Sequence, residues 1–231
     1  MNARIFILLS GLAAACATAQ GFINLDFESA NLPVIPAGQS GGLVPVADAF
    51  PGWQVFYGNA LGTPAATVEH NYVSIGAINA SMHGPSSSYA IEGNYTALLQ
   101  SGLSIFSTNA ATRGVSIAQS GLVPADSQSL QFKLYGSRNT NFAVFLGGQN
   151  LPLFRLSDTP GYSVWGVPTT SFTGQVTELR FSVLSPDDRF YNSFYVDSFE
   201  FLPNPVPEPG TWTLLTLGGA LFWCANRRRR K

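Results

Sequence analysis

Apolar and polar residues alternate with a period of two along much of the chain, the spacing that turns one face of a strand to a core and the other to water. Ile23-Asn24-Leu25-Asp26-Phe27-Glu28, Leu130-Gln131-Phe132-Lys133-Leu134-Tyr135 and Leu179-Arg180-Phe181-Ser182-Val183 follow it without interruption. Residues 142–146, then Gly147-Gly148-Gln149-Asn150, then residues 151–156 read as a hairpin with a glycine-bearing loop. Further strands are predicted over 53–57, 72–77, 89–92, 96–100, 115–119, 162–167 and 195–202. No amphipathic helix stands out among them, and turn residues recur at short spacing. The predicted fold is all-β, an antiparallel β-sandwich.

Each end of the chain breaks the alternation. At the start, Arg4 precedes an apolar stretch over 5–15, and Ala17-Thr18-Ala19 supplies an A-x-A cleavage site before Gln20. That order predicts a secretory signal peptide over 1–19, which a translocon exports and a signal peptidase removes at Ala17 and Ala19. A buried helix would need a polar stripe that this stretch lacks. Cys16, after Ala13-Ala14-Ala15, leaves lipoprotein acylation open, although the usual Leu of that box is Ala13 here. At the other end, residues 203–210 contain four prolines, which forbids helix and favours an extended, solvated spacer. Residues 211–226 carry no charge and are followed by Arg227, Arg228, Arg229, Arg230 and Lys231. A helix over them would reach ~24 Å, short of a ~30 Å hydrocarbon core. Snorkelling arginines and the interfacial Trp212 and Trp223 close the gap. The expectation is a single C-terminal transmembrane helix with its basic tail (227–231) in the cytoplasm and the ectodomain outside; an apolar helix docked on the domain is the alternative.

Between these ends, residues 20–202 form one domain. Both cysteines, Cys16 and Cys224, fall outside it, so its stability rests on core burial without disulfides. Of 231 residues, 45% are hydrophobic and 11% charged, a globular composition. Six of the 12 cations sit at the extremities while all 13 acids lie between Asp26 and Glu208, leaving the middle at a net −7. This excludes a nucleic-acid binder that relies on a basic surface.

Candidate chemistry is sparse. Parity along the closing strand puts Tyr195, Asp197, Phe199 and Phe201 on one face, so Asp197 must find a hydrogen-bond donor, a cation or a metal among aromatics. Asp187-Asp188, after Ser185-Pro186, reads as a turn. His70 and His83 are the only neutral-pH bases, and neither a G-x-S-x-G nor an H-E-x-x-H pattern is present. Glu69 and His70 point to opposite faces of a strand, and residues 81–88 around His83 read as a loop. A glycosidase would have to pair acids such as Glu69 and Glu92. No catalytic residue is predicted, and the expected class is non-enzymatic. The aromatics Trp53, Phe56, Tyr57, Tyr72, Tyr89, Tyr95, Tyr162, Trp165, Tyr191 and Tyr195 are candidates for stacking on sugars wherever they are exposed, Tyr162 and Trp165 foremost.

Val206-Pro207-Glu208-Pro209, a short hydrophobic helix and a terminal arginine cluster together resemble the PEP-CTERM sorting signal of Gram-negative bacteria. That resemblance implies that an exosortase, a membrane cysteine protease, recognises Pro207, Glu208 and Pro209 and releases or transfers the ectodomain, in a setting of exopolysaccharide and biofilm. A second resemblance, carried by residues 24–28, by Pro51-Gly52-Trp53 and by residues 195–201, is to galactose-binding-like jelly rolls. It implies a jelly-roll sandwich, polysaccharide binding, and a structural Ca²⁺ held by Glu28 and Asp197, with no other cofactor required. The expected protein is an exported cell-surface or matrix component; an exported polysaccharide-active enzyme and a purely structural surface protein are the alternatives.

Overall fold

The computed structural model describes residues 20–35, 41–58, 62–85, 87–103, 113–136, 141–185 and 191–206. In chain order the strands are β1 (Gly42–Pro45), β2 (Gln54–Tyr57), β3 (Thr63–Pro64), β4 (Thr67–His70), β5 (Asn79–His83), β6 (Thr96–Gln100) and β7 (Val115–Leu122). They continue with β8 (Ser129–Gly136), β9 (Phe142–Leu146), β10 (Gln149–Asn150), β11 (Phe154–Asp158), β12 (Ser163–Pro168), β13 (Val176–Val183) and β14 (Ser193–Leu202). One turn of helix, α1 (Val46–Ala49), and a 3₁₀ turn at Thr170–Phe172 join them. Among the described residues an eight-stranded sheet runs β1-β4-β5-β6-β14-β8-β12-β11 and a six-stranded sheet runs β10-β9-β13-β7-β2-β3. Among the described strands every pairing is antiparallel except β4 with β5, and an isolated parallel bridge joins Gly21 to Leu122. The all-β sandwich expected from the alternation is the fold.

The inward parity of each strand fills the space between the sheets. Leu130, Phe132 and Leu134 of β8 and Phe194 and Val196 of β14 face Leu179, Phe181 and Val183 of β13 and Phe142, Val144 and Leu146 of β9, all at most 5% exposed. Phe181 meets Phe132 edge-on at 5.6 Å and stacks on Phe142 at 5.6 Å, so rings from both sheets interlock. Burying each such ring is worth roughly 1.5–3 kcal/mol.

Several local expectations are corrected. Residues 23–28 are not a strand. Asn24 and Phe27 take left-handed conformations at φ of 49° and 60°. The Gln119 side chain replaces a ladder partner, accepting from Ile23 N and donating to Ile23 O, both at 3.0 Å. The kink drives Phe27 fully into the core against Phe50, Trp53 and Phe199. Residues 72–77 and 89–92 are likewise connections rather than strands, because Tyr72, Val73 and Ile75 are all exposed and no buried face selects an extended register. Conversely, residues 81–83, read as loop, belong to β5, whose Ala80 and Met82 face the core while Asn79, Ser81 and His83 are covered by those connections. The hairpin after β9 turns on Gly147 and Gly148, both at positive φ as a two-residue turn requires. Its second arm is only β10. Pro152 has no N–H for the ladder, and the chain crosses to the other sheet as β11.

The last correction concerns β14. Asp197 pairs with Lys133 and Glu200 with Gln131, so Ser198 and Phe199 together oppose Phe132: a β-bulge, with Ser198 at φ 51°. The bulge reverses parity. Tyr195 and Asp197 face outward while Phe199 turns into the core against Phe132, Trp53 and Phe181, and Phe201 stacks on Phe22.

Among the described residues no helix is long and apolar enough to cross a membrane. The signal peptide with Ala17 and Ala19, Asp187-Asp188, the motif Pro207, Glu208 and Pro209, the predicted span and Arg227, Arg228, Arg229 and Arg230 lie outside the described residues. The spacer predicted over 203–210 is exposed at 203–205 and buried at Val206.

Candidate functional site

The outward face of the eight-stranded sheet, where β14, β8 and β12 adjoin, carries the densest polar chemistry. It is organised by residues 87–95, which fold back over the sheet. Two carboxylates hold that segment down. Asp197, 1% exposed, accepts from Thr96 Oγ1 at 2.6 Å, from Glu92 N at 3.3 Å and from Ser198 N at 2.7 Å. Glu28 Oε1 accepts from Asn94 N and Tyr95 N at 2.8 and 2.9 Å, and its Oε2 from Asn94 Nδ2 at 3.0 Å. Gly93 makes the approach feasible: at φ 61° and packed on the Glu28 carboxylate, it leaves no room for a Cβ.

The pair joined by the calcium expectation therefore does come together, but every oxygen named above is already taken by N–H or O–H donors. Among the described residues no cluster of three or more His, Cys, Asp or Glu could hold a metal. A Ca²⁺ at Glu28 and Asp197 would have to displace these donors and draw most of its six to eight oxygens from main chain and water. The donor set fits a hydrogen-bonded clasp and does not fit a cation cage. Burial, the largest influence, pushes the Asp197 carboxyl up to about 6, with Glu28 adding repulsion, against the lowering effect of Thr96, Ser198 and Glu92.

Beside the clasp runs a row of tyrosines. Tyr89 stacks on Tyr195 at 5.0 Å and 12°, and Tyr195 pairs across strands with Tyr135, their rings 6.0 Å apart. Ser163 pairs with Leu134, so Tyr162, one residue earlier, falls level with Tyr135. Tyr89 and Tyr135 are each 47% exposed. His83 closes the row from below, edge-on to Tyr89 and Tyr195 and buried; desolvation pulls its pKa down to about 4, with His70 adding to the fall, so its imidazole is neutral at physiological pH. Burial first, then Tyr89 and Tyr135, push the Tyr195 phenol up.

Next to the tyrosines lies a cleft of about 370 Å³ whose polar lining is Asp26, Glu92, Gln131, Lys133, Ser198 and Glu200. Lys133 pairs with Glu92 and rests 5.5 Å from the Tyr162 ring; Ser198 Oγ donates to Glu92 at 2.7 Å. Hydrogen bonds from Lys133 and Ser198 hold Glu92 below the usual carboxylate range.

The other sequence candidates scatter. Trp53 is a core residue, 3% exposed, with Nε1 donating to Asn24 O. Trp165 is half-buried against Phe142 with Arg155 across its ring. Phe56 lies beneath Arg180, Tyr57 and Tyr95 pack on the core, and Tyr72 and Tyr191 are exposed. His70 turns inward to Gly84 O at 2.8 Å while Glu69 lies on the opposite face, as adjacent strand positions require. Glu69 on β4 is separated from Glu92 and its partner strands by β5 and β6, so the two do not meet as a catalytic pair. Tyr135, Lys133 and Gln131 were missed as site residues, although their shared outward parity was already visible in Leu130-Gln131-Phe132-Lys133-Leu134-Tyr135.

Residues 205–230 match the family model of the PEP-CTERM protein-sorting motif. A search of curated proteins found no match. Among solved structures, the chain is similar to TmCBM61 in complex with β-1,4-galactotriose, at 13% identity over 80% of this chain and 99% of that one, TM-score 0.45. It is also similar to a cyclase from Fischerella sp. TAU in complex with 4-(1H-indol-3-yl)butan-2-one, at 16% identity over 83% and 100%, TM-score 0.48. A third is the K1 cleaved adhesin domain of Lys-gingipain from Porphyromonas gingivalis W83, at 14% identity over 78% and 96%, TM-score 0.32. At these identities and scores the structures bear on neither ligand nor activity.

Asp197 and His83 titrate with opposite consequences for stability. The Asp197 pKa rises from 3.8 to about 6 on folding, so its contribution is full below pH 3.8 and is lost as pH rises through 6. The His83 pKa falls from 6.5 to about 4, so its contribution is full above pH 6.5 and is lost as pH falls through 4. The melting temperature of Asp197→Asn relative to the parent should therefore climb between about pH 4 and 6, and that of His83→Gln should decline. Thermal melts across that range check both; flat differences would refute the assignment.

Proposed function

We propose that the protein is an exported cell-surface component whose C-terminal signal hands a sugar-binding sandwich to a sorting protease. The observation that carries the sorting half is the match over residues 205–230, with Pro207-Glu208-Pro209 placed directly before an uncharged 16-residue stretch and a basic stop. In this account the signal peptide takes the chain through the translocon, the basic tail holds the precursor in the inner membrane with its domain outside, and an exosortase recognises Pro207, Glu208 and Pro209. The domain then reaches the cell surface or the surrounding polysaccharide matrix. The chain's repeated crossing between sheets, from β6 through β9 and from β12 through β14, supports reading the sandwich as a jelly roll.

The binding half rests on the tyrosine row beside the cleft. Ring faces of Tyr89, Tyr135 and Tyr162 suit the C–H faces of sugar rings, and Gln131, Glu200, Asp26 and Ser198 offer hydrogen bonds to hydroxyls. Lys133 is already neutralised by Glu92, and uncompensated carboxylates remain, so the surface disfavours anionic glycans and suits neutral ones. An exported polysaccharide-active enzyme is the alternative favoured by the carboxylates in the cleft. It would need one of them protonated as a general acid, whereas Glu92 is held ionised by Lys133 and Ser198. The clasp of Glu28 and Asp197 is proposed to work without metal.

Replacing Pro207, Glu208 and Pro209 together by Ala should leave the precursor in the membrane of a host with the sorting enzyme; normal release, followed by immunoblotting of membrane and medium, would overturn the sorting assignment. On a polysaccharide array, neutral glycans should bind and Tyr135→Ala should weaken them roughly tenfold, about 1.4 kcal/mol, while silence across the array, or hydrolysis of a bound glycan, would move the reading to a structural protein or to an enzyme. Chelator should leave the melting temperature of the domain unchanged; a drop restored by added Ca²⁺ would assign the metal to Glu28 and Asp197.

A further inference from the structure

The residues that lead into the sorting motif are bound to the sandwich that precedes them. After β14, Leu202 O accepts from Gln128 N at 2.8 Å, and Asn204 O accepts from Ser129 Oγ at 2.7 Å. Residues 203–205 are exposed, and the chain then turns back so that Val206 is only 8% exposed. It lies over Gly166 of β12, beside Leu156 of β11: a Cβ built on Gly166 would stand 3.2 Å from Val206 Cγ2 and 3.0 Å from Leu156 Cδ1. Gly166 leaves the slot for the valine. Val206 is thus a buried side chain inside the matched signal and immediately before Pro207.

We infer that Val206 is a latch: the folded sandwich holds the residue that leads into the sorting motif, and the protease takes the chain only in the fraction of molecules where Val206 has left its slot. This inference rests on the sorting account above. A protease groove binds its substrate as an extended chain over several consecutive residues, and one residue spans only about 3.8 Å. An enzyme that engages Pro207 therefore reaches the side chain that Gly166 and Leu156 hold. Apparent affinity for such a substrate falls in proportion to its undocked fraction. The latch also makes processing sensitive to the folded state of β11 and β12, since a domain that has not assembled offers no slot.

The test uses the full-length precursor in cells carrying the sorting protease, with variants that leave residues 205–230 untouched. Gly166→Leu fills the slot with a side chain far larger than the single Cβ that would already stand 3.2 Å from Val206 Cγ2, and Leu156→Ala removes one wall. Two readouts run in parallel: pulse-chase conversion of precursor to product, and limited proteolysis of the 203–206 linker in isolated membranes. Both variants should show a linker that is cut faster and a precursor that is converted about three- to tenfold faster than the parent. A linker cut faster with conversion unchanged or slowed would overturn the latch, as would a linker no more accessible in either variant. The Pro207, Glu208 and Pro209 triple Ala variant separates the two levels: if it is converted as fast as the parent, the sorting account fails, while the linker proteolysis still reports whether Val206 was docked.

Discussion

Much of this molecule depends on satisfying the carboxylates of Asp197 and Glu28 with N–H and O–H donors. Asp197 and Glu28 between them accept the amides of Glu92, Asn94 and Tyr95 and the hydroxyl of Thr96. A buried carboxylate left unpaired costs several kcal/mol, so residues 92–96 cannot lift away without exposing that cost. The segment stays down, and everything it carries stays with it. Tyr89 is thereby held against Tyr195, Glu92 is brought to Lys133 and Ser198, and the outward face of the sheet acquires a roof on one side and an open cleft on the other.

The bulge at Ser198 is the second half of the same device. Without an extra residue in β14, Asp197 and Phe199 would share a face, and either the carboxylate would enter an apolar core or the phenyl ring would enter the polar cleft. The positive φ at Ser198 separates them. One residue further along, Phe199 joins Phe27, Trp53, Phe132 and Phe181, and one residue back, Asp197 holds the roof. Core packing and site geometry are therefore set by a single irregular step in the last strand.

Alternation revealed the sandwich because most strands are buried on one face only, and β8 and β13 matched their patterns closely. It failed where side chains took over work that backbone usually does. The Gln119 amide stands in for a strand partner at Ile23, and Asn24 caps its own turn by accepting from Ser29 N, so a clean alternating run over 23–28 became a kink. Residues 81–83, Ser, Met and His, looked like loop, yet they belong to a strand because the chain roofs its polar side. The convergence of Glu28 and Asp197 was legible through the resemblance, but most of their partners were main-chain amides, which no residue pattern announces. Tyr135 escaped notice for a related reason: its membership of a row depends on which strand lies beside β8, and that is fixed by order in the sheet rather than by sequence.

The rims of both sheets are also blunt. β3 and β10 are two residues long, β3 ending in Pro64; β1 ends in Pro45; and β11 carries a register irregularity between Arg155 and Ser157 together with the charges of Arg155 and Asp158. A long, flat, uncharged rim invites a neighbouring copy to add itself strand by strand, and each of these features discourages that. Copies crowded side by side can thus stay separate molecules instead of growing into fibrils.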